Sequence, residues 1–191
     1  MAGRQAKVLS ESNLAELLAF ADNTRQPSRN RLIVLLSAKA GLRAGEIANL
    51  TWDMVLGGDD RLSNVIELRD WAAKKGSGRS IPIHPTLAQA LECWAQETDR
   101  TGPVIRSERG GPMTPLSVVV WFNRAYKAIG LKGCSSHSGR RTFITRAARL
   151  VHRAGGSLRD VQLLAGHRSI QTTQRYIDGD SDSQRRLVAL V

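Results

Sequence analysis

The stretch His137–Tyr176, HSGRRTFITRAARLVHRAGGSLRDVQLLAGHRSIQTTQRY, decides the interpretation of the chain. An H-x-x-R pair, His137 and Arg140, stands at the start of a predicted helix. Side chains three positions apart share one face of a helix, so the side chains of His137 and Arg140 are predicted to lie next to each other. A second histidine, His167, follows Leu-Ala-Gly, and Tyr176 stands nine positions beyond it. Each of these residues alone is typical of a cap, a packing contact or the surface, and only their combination predicts a site.

The charge of the chain is concentrated in one segment. The net charge is +11, and residues Arg100 to Arg175 contain 14 Lys/Arg against two acids, Glu108 and Asp160. A one-sided basic surface predicts a polyanionic partner, either nucleic acid or an anionic membrane. No apolar run approaches the roughly 18 residues that span a bilayer, and the N-terminus MAGRQAKVLS lacks the apolar core of a signal peptide. We therefore expect nucleic acid, no membrane and a cytoplasmic location.

The remaining composition indicates a globular protein with reduced thiols. A content of 41% hydrophobic and 24% charged residues over 191 positions is enough to bury a core. Cys93 and Cys134 lie outside any C-x-x-C spacing. They are predicted to be reduced, buried and structural.

The periodicities predict an α+β fold, mostly helical with one small antiparallel β-sheet of two or three strands. Helices are predicted from Ser10, over 31–40 and 43–50, from Pro85, over 116–129, 138–151 and 158–165, and in the approach to Tyr176. Strands are predicted over 64–68 and 79–83, with 74–78 as the hairpin connection and 23–30 and 101–115 as loops. In the helix over 138–151, Phe143, Ala147 and Leu150 are expected to face the core.

Residues upstream complete a set suited to phosphoryl transfer. Arg43 and Glu46, in GLRAGEIANL, repeat the three-residue spacing, and Lys74 stands at the mouth of the predicted hairpin. Two guanidinium groups can bind the non-bridging oxygens of a phosphate and stabilise the charge that develops on them. A tyrosine hydroxyl must lose a proton to act as a nucleophile, and a leaving alkoxide must gain one.

Metal and nucleotide chemistry are not predicted. The four histidines form no H-x-x-x-H pair, and no carboxylates cluster near them. The run from Asp178 to Asp182 begins like a calcium loop, but Ser183 and Ala189 replace the required glycine and glutamate. The chain contains no P-loop and no G-x-G-x-x-G motif, so we predict no cofactor.

These residues resemble the tyrosine recombinases, also called phage-type integrases. The landmarks GLRAGEI, AKKGSGRSIPI, HSGRRTF, LLAGH and TTQRY occur in the family's order, and the resemblance extends from about Ser10 to Tyr176. It implies the catalytic-domain fold of that family over 10–177, with 1–9 as a lead-in and 178–191 as a linker and C-terminal helix. The usual N-terminal core-binding domain is expected to be absent, because nine residues precede Ser10. The chain is then either an excised domain or a short relative.

The resemblance also implies a role for each site residue. Tyr176 is similar to the nucleophile that forms a 3′-phosphotyrosyl link and releases a 5′-hydroxyl. Arg43 and Arg140 resemble the arginines that bind the phosphate. His137 resembles the residue that assists proton transfer to and from the tyrosine, and His167 a hydrogen-bond donor to the phosphate.

Two more residues and one departure follow from the same resemblance. Lys74 matches the hairpin lysine that protonates the leaving 5′ oxygen, with Lys75 as the alternative. Glu46 resembles the acidic residue that supports the site without reacting. Gly139 departs from the leucine that commonly precedes the second arginine. The replacement removes a packing side chain, or helix propensity, without touching a catalytic group.

The predicted function is site-specific DNA recombination by metal-independent strand cleavage and rejoining. The implied partners are double-stranded DNA and further recombinase protomers, as a dimer or tetramer. Two alternatives are a type IB topoisomerase-like relaxing enzyme and a non-catalytic DNA-binding accessory protein of the same fold. Arg106, Arg109, Arg146 and Arg149 are candidate phosphate contacts, with a solvated surface as the alternative.

Overall fold

Helices dominate the structure, and one antiparallel pair of strands lies beside them. The computed structural model describes residues 6–176 and 188–189. The helices are Glu11–Asp22 (α1), Pro27–Lys39 (α2), Ala44–Asn49 (α3), Pro85–Gln96 (α4), Pro115–Ala128 (α5), Ser138–Leu150 (α6), Leu158–Ala165 (α7) and Ile170–Gln174 (α8). The strands are Val65–Leu68 (β1) and Arg79–Pro82 (β2). The predicted α+β fold, mostly helical with one small antiparallel sheet, is confirmed.

Helix α2 lies at the centre and packs against α1, α4 and α6. Its residues 32–36 are all buried, because the segment is apolar on nearly every side. The loop predicted over 23–30 is wrong in its second half, since α2 begins at Pro27. Proline suits the first helical turn, where its missing N–H costs no hydrogen bond. Arg29 is buried there and donates to the Arg106 carbonyl at 3.0 Å.

The two strands form a hairpin whose connection is longer than predicted. Val65 pairs with Pro82 and Leu68 with Arg79, so the connection spans 69–78 and contains the 3-10 turn Asp70–Ala72. Along β2, Ile81 is fully buried and Ser80 is exposed. This alternation directs Arg79, two positions from Ile81, toward the protein interior.

Helix α6 approaches α2 very closely at Gly139. A Cβ atom on Gly139 would lie 2.4 Å from the Ser37 Oγ and 2.9 Å from the Ser37 Cβ. No side chain fits at that distance without displacing one of the two helices. The absence of a side chain at Gly139 therefore allows α6 to pack closely against α2.

A second apolar cluster joins α6 to α7. Its apolar stripe consists of Ile144 and Ala148 on α6 and Val151 directly after α6, with Phe143 and Ala147 packed against it. The prediction for Leu150 is wrong, since it is 51% exposed and lies off this stripe. The prediction of two buried cysteines is wrong for Cys93, which is exposed. The buried face of α4 consists instead of Leu87, Leu91 and Trp94. Cys134 is half-buried.

The two predicted C-terminal segments, the linker over 178–183 and the helix over 184–191, lie outside the described residues apart from 188–189. Among the residues that the structure does describe, no helix is both long and apolar enough to cross a membrane.

Candidate active site

Arg140, on the first turn of α6, forms the floor of a cleft. Its side chain is 3% exposed and donates to the Gly41 carbonyl at 2.6 Å and the Ala165 carbonyl at 2.7 Å. These bonds tie α6 to the turn after α2 and to the end of α7, so the guanidinium has one orientation. Burial and the charge of Arg43 lower the pKa of Arg140 to about 10, which leaves it cationic at neutral pH.

Glu46, on α3, is buried between two arginines. Its carboxylate contacts Arg43 Nη1 at 2.6 Å and Arg79 Nη2 at 3.0 Å, and it also accepts from the Arg43 backbone N–H at 3.0 Å. Burial alone would raise the pKa of Glu46. The hydrogen bond and charge of Arg79, together with Arg43, outweigh it and lower the pKa to about 2. The carboxylate therefore stays ionised and holds Arg43 in place.

This ionised carboxylate predicts a loss of stability in acid. The pKa of Glu46 falls from 4.5 unfolded to about 2 folded, so its stabilisation is complete above pH 4.5 and is lost as pH falls toward 2. Between pH 5 and pH 3 the free energy of unfolding should drop by about 2 kcal/mol through this group. Urea denaturation at the two pH values should show a smaller drop in Glu46→Gln, and an equal drop would contradict the assignment.

His167 stands directly after the left-handed residue Gly166, which ends α7. Its Nε2 lies 3.1 Å from Arg140 Nη2 and its Nδ1 lies 3.0 Å from Thr173 Oγ1. Burial, followed by the charges of Arg140, Arg43 and Arg79, lowers the pKa of His167 to about 4. The imidazole is thus neutral near pH 7. Because Arg140 has only N–H groups, Nε2 accepts and Nδ1 carries the proton. Donation from Nε2 to a phosphate then requires a change of tautomer.

Tyr176 follows α8 and stacks on His167. The ring centres are 5.6 Å apart with an angle of 24° between the planes. The Arg141 Cζ atom lies 5.8 Å from the centre of the Tyr176 ring, within range of a cation–π contact. Tyr176 lines the same cleft as Arg140, and negative charge on its oxygen raises the pKa of Arg140, against the lowering by burial and Arg43.

The cleft brings five of the six predicted catalytic residues together. It has a volume of about 470 Å³ and is lined by Arg43, His137, Arg140, His167 and Tyr176, with Arg141 and Arg175 among its other lining residues. His137 lies exposed at its mouth. Partial burial, then the charges of Arg140, Lys74 and Arg43, lower the pKa of His137. A base that is neutral at pH 7 can accept a proton.

Lys74 lines an adjoining recess that it shares with Arg43 and His167. Lys75 lines the same recess, and its carbonyl accepts from Arg168 Nη2 at 2.6 Å. The hairpin connection is therefore fastened to the residue after His167. Lys74 is the lysine whose charge reaches His137, which favours it over Lys75 as the sixth member of the site.

The four arginines predicted to contact phosphate lie away from the cleft. Arg106 pairs with Asp99 at 2.6 Å, and Arg146 pairs with Glu11 at 2.5 Å. Arg109 and Arg149 are exposed, and none of the four lines the cleft. Their contact with DNA stays a prediction. Within 6–176 and 188–189, no three His, Cys, Asp or Glu side chains are grouped to hold a metal ion.

Sequence reasoning missed Arg79, Arg141, Arg175 and Thr173. Arg79 and Thr173 hold predicted site residues in place, and Arg141 and Arg175 line the cleft. Only Arg79 carried a usable signal, because it shares the inward face of β2 with Ile81. The others depend on how α6 and α8 meet, which no local pattern reports.

A sequence profile of the phage integrase family matches residues 7–182. The chain belongs to the phage integrase family. Curated relatives include tyrosine recombinase XerA of Pyrococcus horikoshii, 30% identical over 89% of this chain and 56% of that protein. Tyrosine recombinase XerC of Corynebacterium efficiens is 31% identical over 96% of this chain and 57% of that protein. The chain therefore spans little more than half the length of these relatives.

Solved structures of integrases and recombinases share the fold. The Tn1549 transposon integrase, in complex with a circular intermediate DNA, superposes with a TM-score of 0.77 at 20% identity. The match covers 100% of this chain and 67% of that chain. The catalytic-domain fold implied by the sequence landmarks is confirmed.

Proposed function

We propose that the chain is the strand-cleaving domain of a site-specific tyrosine recombinase that acts on double-stranded DNA. The observation that carries the proposal is Tyr176 stacked on His167 beside the buried Arg140, with Arg43 in the same cleft. Four arginines and two histidines line the cleft around one phenol, and a non-catalytic DNA-binding protein has no use for a nucleophile in that position. The basic segment supplies attraction for the phosphate backbone, and a DNA substrate implies a cytoplasmic location.

The cleavage step is a transesterification at phosphorus. Tyr176 transfers its hydroxyl proton to His137 and attacks the scissile phosphate, forming the P–Oη bond. The P–O5′ bond breaks, and its electron pair leaves on O5′, which takes a proton from Lys74. The products are a 3′-phosphotyrosyl link and a free 5′-hydroxyl.

Rejoining runs the same chemistry in reverse, with a 5′-hydroxyl displacing Tyr176. Arg43 and Arg140 bind the non-bridging oxygens in both directions and stabilise the pentacoordinate state. Because the phosphotyrosyl link conserves the phosphodiester bond energy, the cycle consumes no nucleotide. Exchange between two duplexes requires further protomers, and we propose a dimer or tetramer on DNA.

The test is formation of a covalent adduct. The chain is incubated with nicked duplexes that carry randomised half-sites, in EDTA, and the products are separated on a denaturing gel. A nick a few nucleotides beyond the scissile phosphate lets the short oligonucleotide that bears the released 5′-hydroxyl diffuse away. Because rejoining needs that hydroxyl, its loss traps the adduct. We expect a protein–DNA band whose tryptic peptide maps to Tyr176.

Three results separate the alternatives. No adduct, while a full-length recombinase control forms one on its own site, overturns the proposal and favours an accessory protein if DNA binding persists. Relaxation of supercoiled plasmid without a specific site favours the topoisomerase-like reaction. An adduct that maps to another residue overturns the assignment of Tyr176.

A further inference from the structure

We propose that Arg79 is a positioning residue that fixes the placement of Arg43 relative to His167. The inference rests on the proposed function, in which Arg43 binds the scissile phosphate and His167 lies against the nucleophile Tyr176. Arg79 belongs to the hairpin, whereas Arg43 and His167 belong to separate helical units. Its side chain is 6% exposed and makes contacts toward both units.

The first contact is with Glu46. Arg79 Nη2 donates to Glu46 Oε2 at 3.0 Å, and Arg79 Nη1 lies 3.4 Å from Glu46 Oε1. The same carboxylate binds Arg43 Nη1 at 2.6 Å. Glu46 is 1% exposed, so its orientation depends on these two guanidinium groups. Arg79 therefore fixes the group that aims Arg43.

The second contact is with the end of α7. Arg79 Nε donates to the Leu164 carbonyl at 2.8 Å, one of the carbonyls left open where the helix ends. Gly166 packs on the same side chain, since a Cβ there would lie 3.0 Å from Arg79 Cδ and Nη1. His167 follows immediately. The backbone that leads into His167 therefore packs against the Arg79 side chain.

The two contacts require an arginine. Nε points to Leu164 while the Nη atoms point to Glu46, and the rigid planar fork fixes the angle between these directions. A lysine has one compact ammonium group on a flexible stem, so it can reach Glu46 or Leu164 but cannot reproduce both. The planar geometry of the Arg79 guanidinium, more than its positive charge, therefore connects the part of the cleft that carries Arg43 to the part that carries His167.

A second buried arginine provides the matched control. Arg29, on α2, is 7% exposed and donates to the Arg106 carbonyl and to Asn30 Oδ1, both at 3.0 Å. Its burial and its bonding to a carbonyl and a side-chain oxygen are similar, but it contacts none of the cleft residues. A purely structural arginine should behave as Arg29 does.

The kinetic experiment uses Arg79→Met, Arg79→Lys and Arg29→Met with nicked DNA selected by the wild type. Single-turnover adduct formation at saturating DNA should fall by about 10- to 100-fold in Arg79→Met, because misplacement of about 1 Å has effects of that size. DNA affinity should change less than threefold, and Arg79→Lys should recover only part of the rate. In a Glu46→Gln background, Arg79→Met should lower the rate of adduct formation only a little further, since part of the effect of Arg79 on Arg43 depends on Glu46. Arg29→Met should keep the wild-type rate.

A second readout is independent of activity. The pKa of His167 is lowered in part by Arg79, so an NMR titration of the His167 ring should show it raised in Arg79→Met and unchanged in Arg29→Met. A wild-type rate in Arg79→Met overturns the inference, and so does an unchanged His167 titration. Absence of an adduct in the wild type rejects the proposed function instead, and the titration then decides alone whether Arg79 is coupled to His167.

Discussion

Replacing Tyr176 with phenylalanine is expected to abolish the covalent DNA adduct, a loss of more than about 10⁴-fold in cleavage rate. The substitution removes only the hydroxyl oxygen. The ring that stacks on His167 at 5.6 Å and contacts Arg141 remains, so the cleft and its charge are preserved. DNA affinity, measured by fluorescence anisotropy, should therefore stay within about twofold of the wild type.

The chain has a second tyrosine, Tyr126, which serves as the matched control. Tyr126 is 2% exposed and stacks with Phe122, with ring centres 5.9 Å apart. Within the described residues its hydroxyl has no hydrogen-bond partner, and burial raises its pKa. Tyr126→Phe should keep the full adduct yield and leave the free energy of unfolding equal or slightly higher. Loss of adduct in both variants, or in neither, would contradict the role of Tyr176.

The sequence identified most of the fold because periodicity and caps are local signals. Ser10 caps α1 with its side-chain oxygen 3.0 Å from the Asn13 N–H, and Gly166 ends α7 in a left-handed conformation. The predicted start of α2 at residue 31 is too late, because proline is common both in loops and in the first turn of a helix. The buried positions of Arg29 and Asn30 in that turn depend on tertiary contacts that no local pattern shows.

The sequence predicts which residues form the candidate site better than it predicts the contacts between them. Arg43 and Glu46 could be paired from their spacing. The link from Glu46 to Arg79 spans 33 positions and the link from Arg140 to His167 spans 27. Contacts at such separations depend on how the hairpin and the helices are packed together. The sequence motifs supply the candidate residues, whereas this packing brings their side chains into one cleft.

The same dependence predicts a large effect at Gly139, where α6 meets α2. Gly139→Ala should lower the free energy of unfolding by about 2–3 kcal/mol, because the new Cβ would lie 2.4 Å from Ser37 Oγ. Gly45 occupies the equivalent second position of α3, with nothing within 4 Å of a Cβ. Gly45→Ala should stabilise the chain by about 0.5–1 kcal/mol through helix propensity.

Chemical denaturation of both alanine variants measures this difference directly. Ser37→Ala removes the closest contacting atom, and its hydroxyl has no hydrogen-bond partner within the described residues. The double variant Ser37→Ala with Gly139→Ala should therefore regain part of the lost stability. Equal effects of Gly139→Ala and Gly45→Ala would show that helix propensity decides both sites. A larger loss at Gly139 with partial rescue at Ser37 identifies the close packing of α6 on α2 as the reason that position 139 requires glycine.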